Sequence, residues 1–543
     1  MPNSNATRST LFSLFSLKSG NLLPVVLLLL LLHLILWSTL TGLSHSAPDW
    51  DNMEELVWGS SLEWGYYKHP PLPSWVMHGM ITLFGHPIWL TFFTGQLSVV
   101  LALFFVWKLG CEFSFTQATQ TKQSGYALIA ILLTSLIAYF TVRGVMNNHN
   151  TMQLWSIAGA IWMFYRATRY QRLADWAWLG IFCGFAMLTK YSALIQFFCF
   201  FVYLIWTGKL KQKSTWQGIA IASLLFLLLM APHIFWLMQQ GQGSSAGHSA
   251  NQDNPLIYVS NSIGKPLSRI AQLVTVREFV ETNVGRIAPL LIALALLIFW
   301  NRNKSSTQPR QPTIASQLAS SDRLFLLIIG ISPLVFTLLF ALIFNVPLTA
   351  HWAATFFLPF GFFSWWFLAD SANMLRRTIF LVIILQVISS VGFGIARGPL
   401  SEATGRATRA TYPGSEVSGQ LLSIWKKYNS TPLTLIAGDT WIAGNIAMNA
   451  KHEIQVLIDG DYNKSPWVKP DANTACGVLV VVERSPDIMG ENFTPPELLR
   501  LLKLSSHQGH LTLPWTKQAT GPQVEIDWGV IPAQKNCSEG ATR

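Results

Sequence analysis

Apolar residues in this chain come in long blocks, and polar residues are confined to short stretches between them. Several blocks approach or exceed the ~20 residues that a membrane-spanning helix needs. Eleven such spans are predicted. They run over Asn21–Leu40, Ile88–Trp107, Tyr126–Val142, Met152–Tyr165, Trp176–Leu188 and Ala193–Trp206, then Trp216–Met230, Ile287–Trp300, Leu324–Phe344, Trp352–Ala369 and Thr378–Ile395. The first follows a basic, Ser-rich start with no clear small-residue cleavage site after it, and is read as a retained helix. Residues 239–283 read as a polar loop of moderate length, and Asn301–Arg323 as a flexible one.

From about Arg397 the texture changes. LTLIAG, IQVLIDG and GVLVVVER read as strands, and GSEVSGQLLSIWKKY and TPPELLRLLKL as helices. The expected architecture is a polytopic α-helical membrane domain (1–396, with an outer loop at 41–87) followed by a small α/β domain (397–543).

Composition agrees with the pattern. The 543 residues are 51% hydrophobic and only 12% charged, about half the charge of a soluble domain. The net charge of +11 does not imply nucleic acid, because the Lys and Arg fall in alternate loops, as the positive-inside rule requires. Membrane lipids are the implied partner. That alternation places the N-terminus inside and residues 41–87 outside, with the C-terminal domain on the same outer side. Cys111, Cys183 and Cys199 lie in or beside apolar runs. Cys476 and Cys537 lie in the polar region and could pair if that region is extracytoplasmic.

The odd polar residues gather at the outer helix ends. Asp51, Glu54, Glu55, Lys68 and His69 lie in the first outer loop. Arg143, Asn147, Asn148, His149 and Asn150 form the second outer turn, Lys190 and Tyr191 the third, and His233 and His351 mark two more. A carboxylate there could act as general base, and two could hold a divalent cation. A solvated acidic loop is the bland alternative. The density of the cluster between membrane segments favours chemistry by ~2:1. Pro70 and Pro71 stiffen the backbone after Lys68 and His69, and a cation there suits a phosphate. Lys190 sits at an outer end, against the positive-inside trend. P-loop, dinucleotide, zinc and nucleophile-elbow motifs are absent from the sequence.

GYYKHPPLPSW after an acidic loop, VMNNHNT, the run ending LTKYSA, APHIFW and TAHW together resemble bacterial glycosyltransferase family 39, over most of residues 20–370. This family is part of the GT-C superfamily, with the protein O-mannosyltransferases and the lipid A aminoarabinose transferases. The resemblance implies a bacterial inner-membrane enzyme with a periplasmic C-terminal domain. It would move a sugar from a polyprenyl-phosphate carrier to a lipid, glycan or protein acceptor. Asp51 or the Glu54–Glu55 pair would take the acceptor proton, and Lys68, His69, Lys190 and Tyr191 would hold the carrier phosphate. Arg143, Asn148, Asn150, His233 and His351 would line the site, with a divalent cation as a conceivable cofactor. Two other classes compete. A flippase or transporter needs charges at mid-membrane, and a structural subunit would tolerate replacement of the loop carboxylates.

Overall fold

The computed structural model describes residues 21–242, 255–264, 266–302, 311–450, 452–470, 475–484, 495–518 and 521–533. Helix α1 (Leu23–Ser44) is followed by two short helices, α2 (Trp50–Trp58) and α3 (Leu72–Phe84). Then come α4 (Trp89–Glu112), α5 (Gln120–Thr134), α6 (His149–Tyr170), α7 (Leu173–Thr189) and α8 (Ala193–Trp206). The bundle continues with α9 (Lys213–Gln242), α10 (Pro255–Ile263), α11 (Arg269–Arg302), α12 (Ser320–Phe344) and α13 (Met374–Arg397).

Six of the described helices (α1, α4, α9, α11, α12 and α13) are long and apolar enough to cross a membrane, and α7 and α8 are shorter apolar helices. Seven of the eight expected spans through Ile287–Trp300, with Leu324–Phe344 and Thr378–Ile395, have a helix over most of their length; in Tyr126–Val142 the helix ends at Thr134, and turns with a 3-10 segment (Ala138–Phe140) complete the stretch. The Trp352–Ala369 span does not form an α-helix. It folds as two 3-10 segments, Ala350–Phe357 and Phe360–Trp366. Pro359 lies between them and cannot donate to a helical ladder. A Cβ on Gly361 would meet the Ala130 carbonyl at 2.0 Å, and its N–H donates to Thr134 Oγ1 at 3.1 Å. Close backbone approach to α5 therefore takes the place of a regular helix. The stretch 239–283 is not one loop either: it holds α10 and the first half of α11. Within Asn301–Arg323, Ile314 and Ala315 are buried in a 3-10 turn; residues 303–310 lie outside the described residues.

The lipid-side surface follows from composition. Leu27, Leu28, Leu31 and Leu32 of α1 are each 41–50% exposed, because lipid tails are as apolar as leucine and give no reason to hide them. The opposite faces bury Phe92, Phe113, Phe140, Phe164, Phe325 and Phe362 completely. Pro232, Pro289 and Pro333 lie inside α9, α11 and α12, as neighbouring helices in a bundle allow.

The C-terminal region holds α14 (Pro399–Ala403), α15 (Gly414–Tyr428), α16 (Thr440–Met448) and α17 (Pro496–Leu504) around a five-stranded sheet. Strands β1 (Leu435–Gly438), β2 (Gln455–Ile458) and β3 (Val478–Glu483) pair in parallel, as the apolar runs predict. Strands β4 (His507–Pro514) and β5 (Gln523–Ile531) extend the sheet antiparallel, giving the order β2-β1-β3-β5-β4. Strand β4 alternates exposed and half-buried positions and has no fully buried residue, and with only Leu511 and Leu513 as large apolar residues its sequence is a faint strand signal.

This domain is locked to the first loop. Met53, Val57, Trp58 and Tyr66 share one apolar core with Trp441, Ile442, Ala443 and Ile446. A Cβ on Gly444 of α16 would lie 2.5 Å from Met53 Sδ and 3.0 Å from Val57 Cγ2, so a larger residue there would have to displace the Met53 side chain of α2. Trp441 Nε1 donates to the Pro48 carbonyl at 2.9 Å, and Arg397 pairs with Asp49 at 3.0 Å. The loop is thereby a fixed floor.

Candidate functional site

Helix α2 has Asp51 in its first turn, and Glu54 and Glu55 three and four positions on, which puts them beside one another on the helix surface. The three carboxylates have different partners. Glu54 Oε1 pairs with Lys68 Nζ at 2.5 Å. Glu55, 1% exposed, meets His149 Nδ1 at 3.0 Å through Oε1 and accepts from Ser74 Oγ at 2.8 Å through Oε2. Asp51 accepts only a neutral bond, from Asn148 Nδ2 at 2.8 Å, and has no ion pair among the described residues. Asn148 also caps α6, its Oδ1 accepting from the N–H groups of Asn150 and Thr151. The same residue therefore starts a helix and aims the carboxylate.

Burial lowers the Lys68 pKa, but the Glu54 carboxylate and Tyr67 beside it outweigh that and hold it well above the usual lysine value. His69 goes the other way. Burial first, then His149, Lys190 and Lys68, hold its pKa well below 6.5, so the ring is neutral at pH 7. Its ring lies 4.0 Å from that of His149 and edge-on to Tyr258 at 5.1 Å, between centroids. The two halves of the Lys68–His69 dipeptide thus differ: one is a paired cation and the other a neutral ring.

Lys190 caps the C-terminal end of α7 in an extended conformation, with its carbonyl bonded by Gln153 Nε2 at 2.6 Å. Its Nζ donates to Asn150 Oδ1 at 2.6 Å, and Asp51 acts on it electrostatically. Arg143 faces Arg286, Asp49 and Asp51, and His351 faces Lys190, Asp51, Arg286 and Arg143. Arg286 lies over the Tyr139 ring, 4.7 Å from its centroid, and donates to its hydroxyl. Arg143 and Lys190, from two separate elements, therefore both act on the Asp51 carboxylate, and Arg286 acts on Arg143. Among the described residues none of Arg143, Lys190 and Arg286 forms an ion pair, whereas Lys68 does. Among those residues, no three or more His, Cys, Asp or Glu side chains are grouped so as to hold a metal ion.

Tyr191 and His233 form a separate contact. Tyr191 Oη lies 2.7 Å from His233 Nε2, and His233 Nδ1 lies 2.6 Å from the Trp64 carbonyl. A carbonyl can only accept, so Nδ1 carries the proton and Tyr191 donates to Nε2. The pair ties α9 to the first loop. Sequence reasoning missed Ser74, Tyr139, Tyr258 and Arg286. Tyr258 and Arg286 fall in or just after the stretch read as a loop. The helical periodicity of EFVETNVGRI, running into the eighth span, was the available signal for Arg286.

The arrangement of short loop helices under a bundle of long ones, with a small sheet domain on the loop, matches solved structures. The crystal structure of ArnT from Cupriavidus metallidurans in the apo state superposes with a TM-score of 0.57, covering 93% of this chain and 98% of that one at 14% identity. The fold is an ArnT-like, GT-C fold. The structure of ArnT bound to undecaprenyl phosphate aligns with the same TM-score at 12% identity. Residues 68–236 match the family model for dolichyl-phosphate-mannose-protein mannosyltransferase. That segment starts at Lys68 and ends just beyond His233, so it takes in the polar cluster from the second half of the loop onward. Over 223 residues the chain is 24% identical to the lipid A galacturonosyltransferase RgtD of Rhizobium johnstonii, a match covering 39% of this chain and 43% of that protein. The match thus spans less than half the length of that curated relative.

Proposed function

We propose that the protein is an integral-membrane glycosyltransferase that moves a sugar from a polyprenyl-phosphate carrier to an acceptor on the outer face of the membrane. Lipid A is the acceptor favoured by the likeness to RgtD, and the carrier by the likeness to ArnT bound to undecaprenyl phosphate. The observation that carries this reading is Asp51, a carboxylate within electrostatic reach of Arg143 and Lys190, none of the three forming an ion pair among the described residues.

Asp51 takes the proton of an acceptor hydroxyl as that oxygen attacks the anomeric carbon. The bond from that carbon to the phosphate oxygen breaks, and its electron pair leaves with the polyprenyl phosphate. Attack from the face opposite the phosphate inverts the anomeric centre. Lys190, with Arg143 and Arg286, meets the charge that grows on the departing phosphate. Glu54 and Glu55 have a positioning role, holding Lys68 and His149. In this reading the phosphate is met by fixed cations, and chelation of divalent ions should leave the rate unchanged.

Three observations support an outward, periplasmic site with the N-terminus inside. The basic loops lie at the other ends of the helices. The sheet domain packs on the acidic loop. Cys476 is disulfide-bonded, as oxidising compartments allow; Cys537 lies outside the described residues. The test is reconstitution in vesicles with a polyprenyl-phosphate sugar and lipid A, read by mass spectrometry. Transfer predicts a new glycosidic product and free polyprenyl phosphate together. Carrier-linked sugar crossing the bilayer intact, with no product, would instead identify a flippase.

A further inference from the structure

A second polar cavity lies at the opposite end of the bundle from Asp51. Its volume is about 230 Å³, and its lining includes Thr168 and Arg169 of α6, Tyr203 and Thr207 at the end of α8, Lys209 and Ser321. That is below the ~300 Å³ floor for pockets that take drug-sized ligands, but it suits a small charged group.

Its electrostatics are unfinished. Arg169 reaches only hydroxyls, Ser114 Oγ at 3.2 Å and Ser321 Oγ at 3.4 Å. Arg166, one turn earlier, is by contrast paired with both Glu112 and Asp175. Among the described residues no ion pair involves Arg169 or Lys209. Burial and then the nearby Arg169 charge hold Lys209 below the usual lysine pKa, so the two cations repel each other. Asp322 also lines the cavity. It is 1% exposed, and its carboxylate already accepts from Tyr165 Oη at 2.9 Å and the Ser114 N–H at 2.8 Å. Among the described residues it forms no ion pair with Arg169 or Lys209, so its charge offsets theirs only in part and one positive charge is left over.

The rim is apolar. Ile205 and Trp206 on α8 and Leu327 on α12 are 46–71% exposed, and these two helices pack side by side. We infer that this cavity binds the phosphate group of an anionic membrane lipid between Arg169 and Lys209, with the acyl chains lying along α8 and α12. Two unpaired cations beside hydroxyl donors suit a phosphate oxyanion. Exposed apolar helix faces leading away from them favour a lipid over a free ion. The site is separate from the proposed transfer chemistry and would anchor the bundle in the leaflet that meets the basic loops.

The test uses the full-length protein in detergent, with native mass spectrometry after addition of phosphatidylglycerol, phosphatidylcholine or inorganic phosphate. Phosphatidylglycerol should be retained roughly tenfold better than phosphatidylcholine. The Arg169→Gln/Lys209→Gln variant should lose that preference, and Lys209→Arg should keep it. If the double variant melts early, Lys209→Gln alone, at a half-buried turn, serves in its place. Equal retention of both lipids, or undiminished preference in the variants, would overturn the inference. So would full displacement of phosphatidylglycerol by millimolar inorganic phosphate, which would mark a free-anion site.

Discussion

Outside the Arg169–Lys209 cavity, the two ends of the helical bundle treat charge differently. At the end with the basic loops, Arg166 lies between Glu112 (2.6 Å) and Asp175 (2.9 Å), and Lys122 pairs with Asp370 at 2.6 Å. At the loop end, Asp51 is held by an amide while Arg143, Lys190 and Arg286 face it or one another without closing an ion pair. Paired charges at a membrane edge close off helix ends and fix their spacing. Charges kept close but unpaired retain unspent interaction for a ligand, and ionisable groups at such depth are costly enough to need a purpose. The loop end also contains its own control, since Glu54 and Glu55 are in ion-pair geometry one turn from Asp51.

Replacing Asp51 by Asn should break that contrast most sharply. Transfer should fall by at least ~100-fold, the range expected for loss of a general base, with the melting temperature held. Vesicle transfer assays beside thermal melts check both. A variant that keeps full activity would remove Asp51 from the mechanism.

Lys190→Gln comes next. Removing a cation that meets leaving-group charge should lower kcat by roughly 10–100-fold, more than it raises KM for the donor. An effect confined to KM would mean that Lys190 binds the carrier without acting on the bond that breaks.

Glu55→Gln tests the paired side of the comparison. The substitution leaves His149 facing a neutral amide inside a packed core, so about 2 kcal/mol of stability should be lost. Activity per folded molecule should change far less than with Asp51→Asn. Equal and large activity losses at both positions would make the distinction between paired and unpaired carboxylates meaningless.

Much of this layout is legible in the sequence. Apolar block lengths locate nearly every membrane helix, because lipid demands a continuous apolar run. The basic loops, and the gathering of His, Asn and carboxylates at the other ends, are equally visible. What is hidden is partnership. Asp51, Glu54 and Glu55 are indistinguishable in DNMEELVW, since the difference lies in Asn148, Lys68 and His149, residues 14 to 97 positions away. Trp352–Ala369 misleads for a related reason. Its hydropathy is that of a span, but Gly361 and Pro359 allow it to pack against α5 in 3-10 turns. Arg286 is lost by reading the start of α11 as loop, where Glu and Asn outweigh the underlying helical periodicity.

The smallest expected effect concerns His69, the neutral member of the Lys68–His69 pair. Its pKa in the folded protein lies well below the 6.5 of an ordinary histidine, chiefly through burial and then through His149, Lys190 and Lys68. The unfolded chain therefore binds a proton at His69 as pH drops below about 6.5, while the folded chain resists it. Stability is full above that pH and declines below it, continuing to fall until the depressed folded pKa is reached. His69→Gln removes this contribution. Thermal melts between pH 8 and pH 5 should show a shallower loss of stability in the variant than in the parent, and coincident curves above pH 7 after allowing for a constant offset. His45 and His86 also have depressed values, so the slope should shrink without vanishing. Parallel curves throughout would show that His69 gains its proton as freely in the fold as in the unfolded chain, and the contrast between a paired cation and a neutral ring in the Lys68–His69 dipeptide would fail below about pH 6.5.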